Sequence, residues 1–295
     1  MNSPEPEIRI GRFALSPIPV VHPLLNSVKQ SLFVGATILP NYFRMMIGEK
    51  ELPFVYIKAP FRLENRLDVV LAKYDITWRF RQKAENLKAL SKDLARVVTC
   101  TKLSTAFIMS AKLSEQLLPH SASAMPNVTF LEEPLGADPN VQEAFFRQLK
   151  RRMKDNAGKH RTIAVIHPYG WLSRSYDASF IQHWIAVAVP CPRWSVELHE
   201  RVKYLSHYIH ESSDSEGAAL TLRSTVPAIE AVLQTLGRGQ RTVKDFAIWT
   251  RVSVKYALPY YLGMFRTAQS PGQLVVATRV TDAVEAISDF ARKHR

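Results

Sequence analysis

Residues 61–118 contain neither glycine nor proline. Those two residues are the strongest local interrupters of helices and strands, so a segment without them is expected to consist largely of regular structure. Within it, Leu87, Leu90 and Leu94 recur at the spacing of one helix face. The pattern predicts two or three long helices, and with them a helical domain over residues 24–118.

The charge balance predicts a polyanionic partner. Lysine and arginine total 39 against 26 aspartate and glutamate residues, which gives a formal net charge of +13. Residues 58–112 carry 12 basic and 5 acidic side chains, so few acidic neighbours are placed to pair with the basic ones. Such an excess is typical of proteins that bind DNA, RNA or an anionic membrane surface.

Cysteine usage and hydropathy narrow the class of protein further. Cys100 and Cys191 lie far apart and no CxxC pair occurs, which argues against a zinc knuckle or a disulfide framework. The N-terminus has no apolar signal segment, and no apolar run approaches the roughly 20 residues of a membrane helix. We therefore expect no transmembrane segment. The expected location is the cytoplasm, the nucleoid or nucleus, or a virion, and not a secreted compartment.

Proline-rich segments divide the chain and lead to a predicted domain order. It comprises an extended proline-rich arm (1–23), the basic helical domain (24–118), a linker (119–139), a middle α/β region (140–216) and a helix-turn-helix-like domain (217–295). The predicted fold class is mainly α with short β elements.

A basic helix is predicted at the start of the middle region. Asp138 can cap it, and Pro139 suits its first position because that position needs no backbone donor. Five side chains of this helix are candidate nucleic-acid contacts: Arg147, Lys150, Arg151, Arg152 and Lys154. Further along, residues 162–167 predict a strand, and residues 176–189 and 196–211 predict helices.

The C-terminal segment carries the most specific pattern. Residues 228–236 predict an amphipathic helix. Thr242 and Asp245 have the spacing of a capping box, which predicts a second helix, and Ser253 can cap a third helix that begins at Val254. This order of helices, followed by a strand-like stretch, resembles the helix-turn-helix and winged-helix family over about residues 225–290.

The resemblance implies that the helix from Val254 enters the major groove of DNA. It implies two groups of contacts: Ser253, Lys255 and Tyr256 at the groove, and Thr242 and Arg251 near phosphates. Three further basic side chains of the segment are candidate contacts by charge: Arg238, Arg241 and Lys244. The segment departs from the family in two places, because Arg251 stands where the turn commonly has glycine and Pro259 falls within the recognition helix.

No catalytic motif was found in the sequence. It contains no Walker loop, no dinucleotide-binding glycine motif and no nucleophile elbow. His207 and His210 lie one helical turn apart without a third ligand at diagnostic spacing, so neither a metal nor a cofactor is predicted. Glu132 and Glu133 are interpreted as solvated residues of a proline-rich loop. These observations predict a protein that is not an enzyme.

The favoured hypothesis is a non-enzymatic DNA-binding regulator or a replication or partition factor. The alternative is a structural nucleoprotein, either a viral coat or nucleocapsid protein or a subunit of a ribonucleoprotein, that binds RNA through distributed basic helices. A hydrolase built on the histidine-rich residues 160–210 is a third hypothesis. In the first two cases the partner is DNA or RNA, and a homo-oligomer or larger assembly is expected.

Overall fold

A computed structural model describes residues 23, 25–33, 43–44, 47, 51–55, 63–154, 161–192, 194–207, 214–240, 242, 244–268 and 272–294. The chain forms two compact units. The larger consists of Gly35–Leu39, Val55–Cys191 and Pro227–Arg295, and the smaller of Met1–Val34, Pro40–Phe54 and Pro192–Val226.

A seven-stranded parallel sheet organises the larger unit. Its strands are β1 (Arg66–Leu71), β2 (Thr105–Ile108), β3 (Val128–Glu132), β4 (Arg161–Ile166), β5 (His183–Val187), β6 (Ala247–Val252) and β7 (Gln273–Ala277). They lie in the order β3-β4-β2-β5-β6-β1-β7, and all neighbours pair in parallel. Strands β1, β2, β5 and β6 are buried along their whole length. Helices therefore cover both faces of the sheet, as parallel sheets require.

The α-helices of the described residues are α1 (Trp78–Arg81), α2 (Ala84–Thr99), α3 (Ala111–Ala124), α4 (Pro139–Lys154), α5 (Leu172–Ser175), α6 (Val196–Ser206), α7 (Ser215–Leu220), α8 (Val226–Leu236), α9 (Pro259–Ala268) and α10 (Val280–Lys293). Short 3-10 turns span Leu63–Asn65, Gly237–Gly239 and Val254–Ala257, and a π-helical turn spans Thr221–Thr225.

The main hydrophobic core lies between one sheet face and helices α2, α3 and α10. Leu94 of α2, Leu117 of α3 and Ile287 of α10 are fully buried there against alternate strand residues such as Val69. Because successive side chains of a strand point to opposite faces, the neighbours of those strand residues face the other side. Trp184 of β5 lies on this second face, since its neighbour Ile185 belongs to the main core. The connections after β4, β5 and β6 run along the sheet in the opposite direction to those after β1 and β2, so right-handed crossovers place α5, α8 and α9 on the second face.

The smaller unit has a modest apolar cluster of its own. Leu198, Val202 and Leu205 of α6 pack with Ala219 of α7. Leu222, in the π-helical turn, packs against the same cluster.

The predicted fold class, mainly α with a C-terminal helix-turn-helix domain, is wrong. Strands β1 and β2 fall inside the segment that was expected to be helical, and β3 falls inside the expected linker. The expected helix 176–189 contains β5 instead. Strands buried on both faces show no polar–apolar alternation, so their short apolar runs can be read as parts of helices. Strands from four of the five predicted segments meet in one sheet.

The C-terminal segment shows the correction most clearly. The hydrogen bond expected from the capping-box spacing is present: the Asp245 carboxylate accepts from the backbone N–H of Thr242 at 2.6 Å. It closes a turn before β6, however, and no helix follows it. Residues Val254–Ala257 form only a 3-10 turn, and Pro259 begins α9 rather than interrupting a recognition helix.

Other local predictions are confirmed. Strand β4 lies where residues 162–167 predicted one. Helix α4 begins at Pro139, and the Asp138 carboxylate accepts from the Asn140 backbone N–H at 2.7 Å. Ser195 caps α6 by accepting from the backbone N–H of Leu198 at 3.1 Å. Both cap signals depend only on residues within one helical turn of one another.

Candidate functional site

The candidate site lies where neighbouring parallel strands lead to opposite faces of the sheet. After β2 the chain enters α3, which belongs to the main core. β4 pairs with β2, but the chain leaves β4 for β5 in the opposite direction along the sheet, so a right-handed crossover places α5 on the second face. A crevice forms at the carboxyl ends of such a pair, and open α/β sheets bind their ligands there. We call residues 167–173, which follow β4, the switch-point loop.

A buried carboxylate holds the switch-point loop in place. Glu133, directly after β3, is 2% exposed. Its Oε2 accepts from the backbone N–H of His167 at 3.0 Å, and its Oε1 accepts from the backbone N–H of Leu172 at 2.7 Å. Burial raises the pKa of Glu133, and these backbone donors together with His167 oppose the rise. The carboxylate therefore joins the start of the loop to its end.

Gly170 is required where the loop passes over this carboxylate. A Cβ at position 170 would lie 2.3 Å from Oε2 of Glu133, closer than carbon and oxygen can approach. Ser173 closes the loop, with its Oγ 2.9 Å from the carbonyl oxygen of Pro168 and 2.7 Å from that of Gly170. The loop conformation is thus fixed from two sides.

His167, at the start of the loop, is buried between β2 and β3. Its Nδ1 lies 2.9 Å from the carbonyl oxygen of Met109, and its Nε2 lies 3.3 Å from Oε1 of Glu132. The hydroxyl of Ser114 donates to the same Glu132 oxygen. A serine nucleophile would need its hydroxyl against the imidazole. This arrangement therefore orients the loop and does not form a serine hydrolase triad.

A glycine-flanked arginine contacts the end of the loop. Arg238 lies in the 3-10 turn Gly237–Gly239, and its Nε donates to the carbonyl oxygen of Ser173 at 3.1 Å. Gly239 faces Trp184, whose Nε1 would be 2.1 Å from a Cβ at that position. Close packing of the turn therefore places Arg238 beside the switch-point loop.

Aromatic side chains connect the loop to the basic helix α4. The ring of Tyr176 stacks on Phe146 of α4 with centroids 4.1 Å apart, and it meets Trp171 of the loop edge-on at 4.7 Å. The Tyr176 hydroxyl donates to Glu143 of α4. Burial, and then this hydrogen bond, raise the pKa of Tyr176 to about 12, so the phenol is protonated at neutral pH.

The structure brings together one group of the predicted contacts. The five basic residues of α4 are all exposed: Arg147, Lys150, Arg151, Arg152 and Lys154. Of these, Arg147 also pairs with Glu143 at 2.9 Å. Together with Arg238 and the switch-point loop they form the candidate site. Thr242 and Lys244 are exposed in the turn before β6, and Arg241 lies outside the described residues.

The groove-facing arrangement implied by the helix-turn-helix resemblance is not present. Arg251 lies within β6 and is 2% exposed, Ser253 is 1% exposed and Tyr256 is fully buried. The Tyr256 hydroxyl donates to the carbonyl oxygen of Ala188 at 2.7 Å. Lys255 is half-buried. Arg251, Ser253 and Tyr256 belong to the interior of an α/β unit because β6 is a central strand.

Sequence reasoning missed the residues that shape the loop. Glu133 was interpreted as solvated, and it is buried. The available signal was the run His167-Pro-Tyr-Gly at the end of a predicted strand, because loops at the carboxyl ends of strands carry ligand contacts.

In the part of the chain that the structure describes, no group of three or more histidine, cysteine, aspartate or glutamate side chains could hold a metal ion. His207 lies with its Nδ1 2.6 Å from the carbonyl oxygen of Lys203, and His210 is outside the described residues. Over the same residues, none of the helices has the length and hydropathy needed to span a membrane.

Comparison with known proteins gives similarity in structure only. No family model and no curated protein matches the sequence. A structure titled XPD helicase matches 80% of this chain and 40% of its own length, with 13% identity and a TM-score of 0.53. A structure titled XPD apo matches 80% of this chain and 46% of its own length, with 11% identity and a TM-score of 0.52. The S. cerevisiae Dbp5 structure with RNA and ADP BeF3 matches 89% of this chain and 54% of its own length, with 10% identity and a TM-score of 0.46.

These likenesses show that the chain shares a parallel α/β fold with the two XPD structures, and they correct the helix-turn-helix resemblance. The chain spans less than half the length of the two XPD structures that it matches. The hypothesis of a non-enzymatic regulator depended on the helix-turn-helix segment, and that segment supplies β6 and β7 to a sheet shared with a helicase. That hypothesis, its nucleoprotein alternative and the prediction that the protein is not an enzyme are therefore contradicted.

Proposed function

We propose that this chain is one RecA-like module of a nucleic-acid motor of the helicase type. The observation that carries the proposal is the parallel sheet, which matches XPD helicase over 80% of the chain. The net charge of +13 supports binding to a phosphate-rich nucleic-acid strand, which we call the track of the motor. The module contains no phosphate-binding loop of the Walker type, so ATP hydrolysis requires a second module that supplies one.

The proposed track contact is the surface formed by the switch-point loop and α4. Tyr169 is 44% exposed within the loop, next to the carboxyl ends of the strands. Aromatic rings interleaved with basic side chains suit unpaired bases, because the ring stacks on a base while the cations follow the backbone. We therefore propose single-stranded nucleic acid, DNA or RNA, as the track.

The first test measures binding of the full chain to a labelled single-stranded oligonucleotide by fluorescence anisotropy over a series of salt concentrations. We expect affinity that falls as salt rises, because binding releases counterions. An ATPase assay with and without the oligonucleotide accompanies it, and no hydrolysis above background is expected from this chain alone. No binding at low salt contradicts the track. Hydrolysis that co-elutes with the chain contradicts the two-module arrangement.

The second test separates stacking from charge. Tyr169→Ala should cost about 1–3 kcal/mol of binding to the single strand through lost stacking. It should leave the salt dependence unchanged, because no charge is removed. The matched control is Trp78→Ala, an aromatic residue that is 62% exposed on α1. Equal losses for both variants, or none for Tyr169→Ala, argue against the proposed contact surface.

A further inference from the structure

Among the described residues, Ala188 is the only residue other than glycine with a left-handed backbone. Its φ is 64°, which residues with a Cβ rarely adopt because the Cβ approaches the following carbonyl oxygen. A strained backbone of this kind persists only where its surroundings hold it, and such residues cluster at functional sites. Ala188 directly follows β5, whose carboxyl end lies at the same edge of the sheet as the switch-point loop, because β4, β2 and β5 are parallel.

Two hydrogen bonds hold Ala188 in this conformation. Its backbone N–H donates to the carbonyl oxygen of Val252, at the end of β6, at 3.1 Å. Its carbonyl oxygen accepts from the Tyr256 hydroxyl at 2.7 Å. Tyr256 is fully buried, and its ring meets Phe265 of α9 edge-on with centroids 5.8 Å apart, so the position of this donor is fixed. Both polar groups of the Ala188 backbone are therefore bonded to β6 and to the turn that follows it.

The chain after Ala188 forms a rigid turn that contacts the switch-point loop. The Cys191 backbone N–H donates to the carbonyl oxygen of Val189 at 2.9 Å, which closes a three-residue turn centred on Pro190. The proline ring fixes φ at the centre of this turn. The Tyr169 hydroxyl donates to the carbonyl oxygen of Pro190 at 3.5 Å, a long hydrogen bond. The turn thus meets the tip of the ring that is proposed to stack on a base.

An aromatic ring that is oriented before binding loses less conformational freedom when a base stacks on it. We propose that Tyr256 is a positioning residue for nucleic-acid binding. Through the backbone of Ala188 it places the carbonyl of Pro190, and that carbonyl orients the Tyr169 ring for stacking. This inference rests on the proposed function, because it concerns the same contact surface.

The first test records the Tyr169 ring directly, by NMR of the full chain with carbon-13 in its tyrosine rings. The Tyr169 signal is the one lost in Tyr169→Phe. Tyr256→Phe keeps the buried ring and removes only the hydroxyl, and Ala188→Gly relieves the strain, since glycine adopts positive and negative φ alike. Both substitutions should shift the Tyr169 signal. The control Tyr74→Phe, which removes a buried hydroxyl bonded to Asp93 at 2.5 Å, should not shift it.

The second test measures binding of a labelled single-stranded oligonucleotide by fluorescence anisotropy. If the ring is correctly oriented for only a fraction of the time, the apparent Kd rises by the inverse of that fraction, so Tyr256→Phe and Ala188→Gly should bind about three- to tenfold more weakly. In a Tyr169→Ala background neither substitution should weaken binding further, because the ring that they orient is absent. Ala188→Gly should melt no lower than the wild type, since it removes a left-handed alanine. Weaker binding without lower stability is a result that a purely structural role would not produce.

The outcomes separate this inference from the proposed function. If the wild type does not bind the oligonucleotide, the proposed function fails and the positioning role fails with it. If Tyr169→Ala weakens binding while Tyr256→Phe and Ala188→Gly bind like the wild type, the proposed function stands and the positioning role is refuted. Further loss of binding in the Tyr169→Ala background also refutes it. An unshifted Tyr169 signal in both variants refutes the link between Tyr256 and the loop, whatever the binding result.

Discussion

Glu133 and Gly170 meet across the crevice beside β4, with the glycine backbone placed so that a Cβ would lie 2.3 Å from Oε2 of the carboxylate. The same carboxylate accepts from the backbone N–H groups of His167 and Leu172. Neither residue can change without altering the position of the other. The contact therefore determines the shape of the switch-point loop.

Gly170→Ala should destabilise the larger unit by about 1–3 kcal/mol, because it displaces a buried carboxylate from two backbone donors. Urea unfolding followed by circular dichroism measures the loss. In a Glu133→Ala background the new methyl group has room, so the same substitution should cost less. A double-mutant cycle reports this as a coupling energy. Additive effects of the two substitutions would show that the two residues do not interact.

This contact also shows what the sequence could reveal. The caps at Asp138 and Ser195 could be predicted because a capping side chain and the backbone N–H that donates to it lie within four residues. Glu133 and Gly170 belong to different strand–loop units, and only the β3–β4 pairing brings them together. No local sequence pattern indicates that Glu133 and Gly170 lie in contact. The glycine could be noted in the sequence, but its partner could not.

The strands were misread for a related reason. His183–Val187 of β5 is buried at every position, so it lacks the alternation that marks a half-exposed strand. The capping-box spacing at Thr242 and Asp245 led to a second error, because the bond forms without a helix after it. Motif spacing indicates a local hydrogen bond, whereas the element that follows depends on burial in the sheet.

His183 should make stability depend on pH. It is fully buried in β5, with Nε2 2.9 Å from the Thr250 hydroxyl, and burial and then the nearby Arg161 lower its pKa to about 3. The unfolded chain binds a proton near pH 6.5 and the folded chain does not, so stability is full above that pH and falls as pH drops toward 3.

We expect this residue to cost about 1 kcal/mol of stability between pH 6 and pH 5. His183→Gln retains a polar side chain but does not titrate in this range. The difference in unfolding free energy between wild type and variant, measured by urea titration at several pH values, isolates the histidine from the carboxylates. Parallel pH profiles for the two proteins would show that His183 titrates alike in the folded and unfolded states.

Arg161 should be essential for joining β4 to the end of α2. Its Nη1 donates to the carbonyl oxygens of Val98 at 2.7 Å and Thr101 at 2.9 Å, and its Nη2 donates to Leu103 and to the Thr105 hydroxyl. A lysine ammonium cannot reproduce this planar fork. Arg161→Lys should therefore cost about 2–4 kcal/mol, since each buried acceptor left unpaired costs about 1–3 kcal/mol.

Chemical unfolding of Arg161→Lys and of the wild type measures this loss of unfolding free energy. The control is Arg147→Lys, an exposed arginine that pairs with Glu143 on the same helix. Surface substitutions of this kind stay within about 0.5 kcal/mol. A loss of similar size in both variants would indicate a general effect of the substitution and not the loss of the carbonyl contacts.

The basic face of α4 should set the salt dependence of nucleic-acid binding. Lys150 and Lys154 lie four residues apart, are both exposed, and follow Phe146, which is anchored to the switch-point loop through Tyr176. Each phosphate contact on a single strand contributes about −0.7 to the slope of log affinity against log salt. Lys150→Gln with Lys154→Gln should therefore make the slope about 1.4 units shallower if both contact phosphate. The affinity should fall alike for all sequences, because phosphate contacts carry no base information. The matched control is Lys88→Gln with Lys92→Gln, two exposed lysines at the same spacing on α2, which right-handed crossovers place on the opposite side of the sheet from α4. A slope that changes equally in both pairs would assign binding to net charge, and an unchanged slope in the α4 pair would exclude α4 from the track contact.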